Sequence, residues 1–188
     1  MPLNPWRKIR QSFELKNPWW TYRRDDVLLP TGKEGEYHFV HVNGSSMVIP
    51  LMNDGRMVMV NQYRYLASRE SLEFPCGSVK DGATHEQTAF MELSEEAGFQ
   101  AGKLECIAEF NPYNGVTDEL CRVFIARQLT PVVAQPDDTE EFQRVILSYA
   151  ELERKIKAGE IWDGMTLAAW AIVRDIFSHT PEESAGLS

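Results

Sequence analysis

The sequence predicts an α/β sandwich, a mixed sheet between helices, preceded by an N-terminal β-hairpin. Three observations carry that expectation. Short alternating segments bounded by turn residues fill residues 20–64. A helical segment near residues 84–98 then interrupts the strands. Two more helical segments follow the last strand. Strands, a loop and helix, strands, and then helices is an order that packs helices onto a sheet.

Residues 1–18 carry Pro2, Pro5 and Pro18 in a polar context and read as a loosely ordered start or a short amphipathic arm. WTYRRDDVLL and EYHFVHVN read as strands joined by the glycine-containing turn at 31–35. Trp19 and Trp20 read as packing residues ahead of a base-stacking platform. This organisation divides the chain at 1–43, arm and hairpin, and 44–188, the main domain. SSMVIPLM and RMVMVNQYR read as a second hairpin across Asn53-Asp54-Gly55. KLECIAEF and ELCRVFIARQL are alternating strands, FQRVILSY is the last strand, and AELERKIKAGE is a short helix closed by Gly159. Asp163 caps a final helix, with Ala168, Ala171, Ile172 and Ile176 on one face. His38 and His41 fall on opposite sides of a strand and make no zinc pair.

Bulk composition narrows the function. A 188-residue chain with 43% hydrophobic residues builds a real core in one domain with at most a small appendage. A net charge of −9 argues against a nucleic-acid or anionic-membrane partner. Cys76, Cys106 and Cys121 are odd in number and without paired spacing, which suits a reducing cytosol. The N-terminus has no apolar signal region, and no run is apolar enough to span a bilayer. A cytoplasmic protein is expected.

The chemistry concentrates in residues 77–99, GSVKDGATHEQTAFMELSEEAGF. Thr84 and Gln87 have the form of a capping box, so the helix starts there. Gly98 suits the residue that ends it, where positive φ is cheap. Phe90, Leu93 and Ala97 form an apolar stripe. Glu92, Glu95 and Glu96, at i, i+3 and i+4, share the opposite face. Like charges at that spacing cost roughly 0.2–0.5 kcal/mol per pair. Clustered carboxylates suit a hard divalent ion such as Mg²⁺. Upstream, Arg64 ends a strand with a guanidinium fork suited to a diphosphate.

These residues resemble the Nudix box. Its pattern is Gly, five residues, Glu, seven residues, then Arg-Glu-apolar-x-Glu-Glu-x-Gly-apolar. Gly77, Glu92, Leu93, Glu95, Glu96, Gly98 and Phe99 match in register. Ala83 replaces the family's first Glu, and Met91 replaces its Arg. The resemblance covers roughly residues 44–177 and is closest to the ADP-ribose pyrophosphatase-like enzymes. It implies a Nudix-type α/β/α sandwich with a mixed sheet. It also implies Mg²⁺-dependent hydrolysis of ADP-ribose or a related nucleoside diphosphate sugar, with Mn²⁺ as an alternative metal.

By that resemblance, two or three ions are held by Glu92, Glu95 and Glu96, with the backbone carbonyl of Cys76 as a further ligand. Arg64 clamps a phosphate oxygen. Glu73 hydrogen-bonds substrate or holds the loop. Gly115 lies in a substrate loop, and Glu140 or Glu141 is the base. The partner is a small nucleoside diphosphate derivative, and the hairpin commonly exchanges across a homodimer in such enzymes. Loss of both members of the box ion pair leaves the scaffold intact, because no charge is left alone. The alternative is a Nudix-fold nucleotide-binding or regulatory module with reduced or lost turnover. A diphosphate-processing isomerase on the same fold is a third reading, weakened by the lack of a catalytic Cys/Glu arrangement.

Overall fold

A computed structural model describes residues 3–134 and 141–177. Strand β4, Ser45–Pro50, lies at its centre and is buried along its whole length. Its side chains alternate between two cores. Met47 and Ile49 face one, with Cys121, Val123 and Trp170. Val48 faces the other, with Leu93, Ala97 and Phe124. A strand covered on both faces reads as a continuous apolar run.

Around it, β7 (Cys76–Ser78), β4, β9 (Cys121–Pro131) and β8 (Phe99–Phe110) form a mixed sheet. The β4–β9 pair is parallel and the others are antiparallel. A second, antiparallel sheet runs β10 (Gln143–Leu147), β5 (Met57–Arg64), β6 (Arg69–Glu73). Helix α1, His85–Glu95, covers one side. Helices α2, Tyr149–Lys157, and α3, Gly164–Phe177, cover the other. This is the expected α/β/α sandwich. No described helix is long and apolar enough to cross a membrane.

Four local expectations need correction. The N-terminal arm is a strand: β1, Arg7–Lys16, pairs with β2, Thr21–Leu28, and β2 pairs with β3, Glu34–His41. The hairpin exists, but as two thirds of a three-stranded sheet. Arm residues Arg7, Arg10 and Lys16 are charged yet extended, and pairing with β2 satisfies their backbone. Secondly, the Asn53-Asp54-Gly55 turn forms, with Gly55 at φ +85° and Met52 N–H bonded to Arg56 O at 2.8 Å. Beyond a single Leu51–Met57 bridge, however, β4 and β5 part into different sheets. Each has its own long-range partners, β9 for β4 and β10 for β5, and both cores are filled by that divergence.

Thirdly, the buried line of α1 is Ala89, Leu93 and Ala97, with Phe90 39% exposed. Residues four apart stack on one helical line, and alanines at both ends let the helix approach the sheet closely. Fourthly, α3 buries Ala169, Trp170, Val173 and Phe177, while Ala171, Ile172 and Ile176 face outward. Trp170 decides the rotation: it packs on Phe74, Tyr149 and Phe177, and its Nε1–H donates to Glu153 at 2.7 Å.

Candidate active site

Helix α1 is placed by its two ends. Thr84 Oγ1 accepts from Gln87 N at 3.2 Å, and Gln87 Oε1 accepts from Thr84 N at 2.8 Å, completing the capping box. At the other end Gly98, at φ +69°, donates its N–H to Ser94 O at 3.2 Å, a single-bond left-handed cap. With both ends fixed, Glu92, Glu95 and Glu96 project toward β7. All three line one cleft of about 650 Å³, together with Cys76 and Gly77.

The contact between helix and loop is close. A Cβ on Gly77 would collide with the Glu92 carboxylate. Glycine is therefore required here for approach, not for its dihedral freedom. Glu96 is buried and accepts from the Cys76 N–H at 3.0 Å. Contact with the Cys121 thiol, burial, and the charges of Glu96 and Glu92 push the Cys76 thiol well above its ordinary pKa.

Behind Glu96 lies an ion pair. Glu73, only 3% exposed, accepts from Arg64 Nε at 2.8 Å and from Arg64 Nη2 through the same fork. Gln62 Nε2 adds a longer contact at 3.4 Å. Hydrogen bonding to Glu73, against the cost of burial, and the charges of Glu73, Asp163 and Glu96 hold the guanidinium above its usual pKa. Glu73 thus fixes Arg64. Asp163 caps α3 by accepting from Thr166 N at 2.7 Å.

The structure places Glu92, Glu95, Glu96 and Cys76 along one cleft; Arg64 and Glu73 pair with each other and do not line it, although the charge of Glu96 reaches Arg64. It does not bring Gly115 to this cleft. The loop around Gly115 lies along β3, and Gly115 O accepts from Tyr37 Oη at 3.3 Å. Glu141 is exposed, just ahead of β10, and does not line the cleft. Glu140 lies outside the described residues.

The opposite wall belongs to the N-terminal sheet and its β1–β2 turn. Lys16, Trp19, Trp20, Arg23 and His41 line the same cleft, together with Glu14, which accepts from Arg23 Nε at 2.9 Å. Trp19 is 79% exposed, so the two tryptophans are not core residues as expected. Asn17 Oδ1 accepts from the backbone N–H groups of Trp19 and Trp20 at 2.8 Å and fixes their turn. The cleft signal was present in the period-2 pattern of β2, which puts Thr21 and Arg23 on one face. Only the docking of the sheet reveals which face meets the cleft.

The oxygen-rich donor set fits a hard divalent cation. Among the described residues no three acidic, imidazole or thiol groups form a ready-made cage. Mg²⁺ does not require one, because it binds through one or two carboxylates and completes its shell with water and substrate phosphate.

The chain matches the NUDIX domain model over residues 42–169. It is 32% identical over 147 residues to the ADP-ribose pyrophosphatase of Bacillus subtilis (strain 168), covering 77% of this chain and 80% of that protein. It is 31% identical over 147 residues to the methanol dehydrogenase activator of Bacillus methanolicus, with the same 77% and 80% coverage. A crystal structure of an ADP compounds hydrolase superposes with a TM-score of 0.81 at 18% identity, covering 94% of this chain and 96% of that one, and so shares the fold. With the glycine-cradled glutamate helix at the mouth of the cleft, these likenesses establish that the chain belongs to the NUDIX family.

Proposed function

We propose that this protein hydrolyses the diphosphate of ADP-ribose or a related nucleoside diphosphate sugar, using Mg²⁺ or Mn²⁺, to a nucleoside monophosphate and a sugar phosphate. The observation that carries this reading is the shared cleft: three glutamates from α1, and Lys16, the Glu14–Arg23 pair and exposed tryptophans from the N-terminal sheet. The relatives named ADP-ribose pyrophosphatase, from Bacillus subtilis and Mycobacterium tuberculosis, support the same substrate class.

When bound, divalent metal would polarise the diphosphate and acidify a water. Glu92, Glu95 and Glu96 would hold it, with the Cys76 carbonyl beside them. The Cys76 N–H orients Glu96 for that task. Arg64, its fork anchored on Glu73, offers the rest of its guanidinium to a phosphate oxygen. Glu140, outside the described residues, or Glu141, which would have to move in from its exposed place ahead of β10, takes the proton of the attacking water. Trp19 and Trp20 offer flat apolar surface to the nucleobase. The active species is a cytoplasmic homodimer, joined through the N-terminal sheet, whose outer strand exposes Phe13 and Leu15.

A binding or regulatory role is the second reading. The methanol dehydrogenase activator is as similar to this chain as the first pyrophosphatase is, and Ala83 and Met91 depart from the family box. One panel separates the two readings: ADP-ribose, ADP-glucose, GDP-mannose, dinucleoside polyphosphates and NADH, each with Mg²⁺ and Mn²⁺. Metal-dependent release of a nucleoside monophosphate supports the hydrolase. Tight nucleotide binding with no release supports the module.

A further inference from the structure

The connector between β3 and β4, residues 42–44, is the single covalent link from the N-terminal sheet to the rest of the chain, and His41 is the last residue of β3 before it. Every one of its residues is held. Asp118, in the loop after β8, has Oδ2 2.6 Å from His41 Nδ1, and its Oδ1 accepts from Val42 N at 3.2 Å. Asn43 Nδ2 donates to Asp81 Oδ1 at 2.7 Å, in the loop that precedes α1. Gly44 O accepts from Val79 N at 2.9 Å. Gly44 itself has φ +98°, and a Cβ there would meet Leu120 O at 2.7 Å and the His85 ring at 2.9 Å. The same loop pairs with β3: Val40 N donates to Val116 O, and Asp118 N to Val40 O.

His41, Val42, Asn43 and Asp81 all line the cleft, whereas Asp118 does not. Asp118 therefore touches the wall from behind. We infer that Asp118 is a positioning residue: through His41 and Val42 it sets the wall that faces Glu92, Glu95 and Glu96, with Asn43–Asp81 as the second pin of that wall. The loop at 111–119 then serves the site as a clasp for the N-terminal sheet, not as a direct contact of this cleft. A carboxylate suits the post because one oxygen serves the imidazole and the other the amide. Displacing this wall leaves the glutamate floor in place and loosens the grip on the substrate, so the cost falls on binding.

The kinetic arm of the test rests on the hydrolase reading. ADP-ribose turnover with Mg²⁺ is measured for the full chain, Asp118→Ala, Asp118→Asn, Asn43→Ala and the Asp118→Ala/Asn43→Ala double variant. Asp118→Ala should raise KM about tenfold and hold kcat within about twofold, the split expected for a lost binding wall. Asp118→Asn keeps an acceptor for Val42 N–H and should fall between it and the parent. The double variant should cost less than the product of the two single effects, because both pins hold one wall. A substrate-independent arm follows amide hydrogen exchange. Val42 should exchange about tenfold faster in Asp118→Ala, while Val123 in the sheet is unchanged. A parent chain that hydrolyses none of the nucleotides overturns the hydrolase reading, and the exchange arm still decides the clasp. Unchanged KM in Asp118→Ala, or unchanged Val42 exchange, overturns the positioning role.

Discussion

The two halves of the molecule are built on opposite terms. In the NUDIX domain, β4 is buried on both faces, and its neighbours fill two cores with Met, Ile, Val, Leu and Trp side chains. In the N-terminal sheet, β1 is exposed almost throughout, and polar pairs hold it to β2: Arg10 with Asp26 at 2.7 Å, Lys8 with Asp25 at 2.8 Å. The first half draws its stability from apolar burial. The second holds together by strand pairing, the Lys8 pair with buried Asp25, exposed pairs such as Arg10–Asp26 that contribute little, and the clasp at Asp118. The glutamates therefore sit on a rigid floor, and the opposite wall of the cleft sits on a lightly held sheet. On the hydrolase reading, the glutamates that would hold the metal rest on the core, and the wall that would meet the substrate rests on the N-terminal sheet.

That contrast can be broken experimentally, and the largest effects should fall on the rigid floor. Glu96→Gln should lower metal-dependent nucleoside monophosphate release by at least about a hundredfold, since it removes an anionic ligand from the cation that would offset the phosphate charge. Turnover equal to the parent would make the metal-ligand assignment wrong. Arg64→Ala should cost about 3 kcal/mol in urea unfolding, because Glu73 is left buried and unpaired. Glu73→Ala should cost clearly less, since the half-exposed Arg64 can turn to solvent. The reverse order would mean that Glu73 is not the desolvated partner.

Gly77→Ala should destabilise by about 1–3 kcal/mol, as expected for an overpacked contact, and should blunt the response to Mg²⁺ by displacing the Glu92 carboxylate. Mg²⁺ itself should raise the melting temperature of the parent, by about 1.4 kcal/mol of stability at ten times its dissociation constant. Met91 supplies no cation beside the glutamates, so metal should relieve repulsion within the cluster. A melting curve indifferent to millimolar metal would refute this. The smallest effect belongs to the lightly held half: Asp26→Ala should leave the melting transition unmoved. Arg10 does lower the Asp26 pKa, but through a solvent-exposed hydrogen bond. A clear loss of stability there would erase the distinction between the halves.

Much of the catalytic floor was legible in the residues. The box spacing gave the helix, its cap at Thr84, its stop at Gly98 and the shared face of Glu92, Glu95 and Glu96, because all of these depend on local geometry. Arg64 and Glu73 were singled out one by one, but their mutual pairing was not. The register of β5 against β6 sets Glu73 opposite Val60, on the same face as Gln62 and Arg64, and the pair closes only because the long Arg64 side chain runs back along the strand. The β4–β5 turn was readable, yet the separation of its strands into two sheets was not. A turn fixes only the reversal, and long-range partners decide which sheet each strand joins.

The sequence by itself determined the family, the carboxylate helix and the sandwich order, since these rest on periods and spacings within some twenty residues. Tertiary structure alone decided that residues 7–16 form a strand, that Trp19 and Trp20 stand open on a cleft, and that the loop at Gly115 clasps β3. The physical reason is the range of the interactions. A cap or a helix face is settled by neighbours in sequence. The wall of a cleft is settled by pairings such as His41 with Asp118, whose partners are 77 residues apart in the chain.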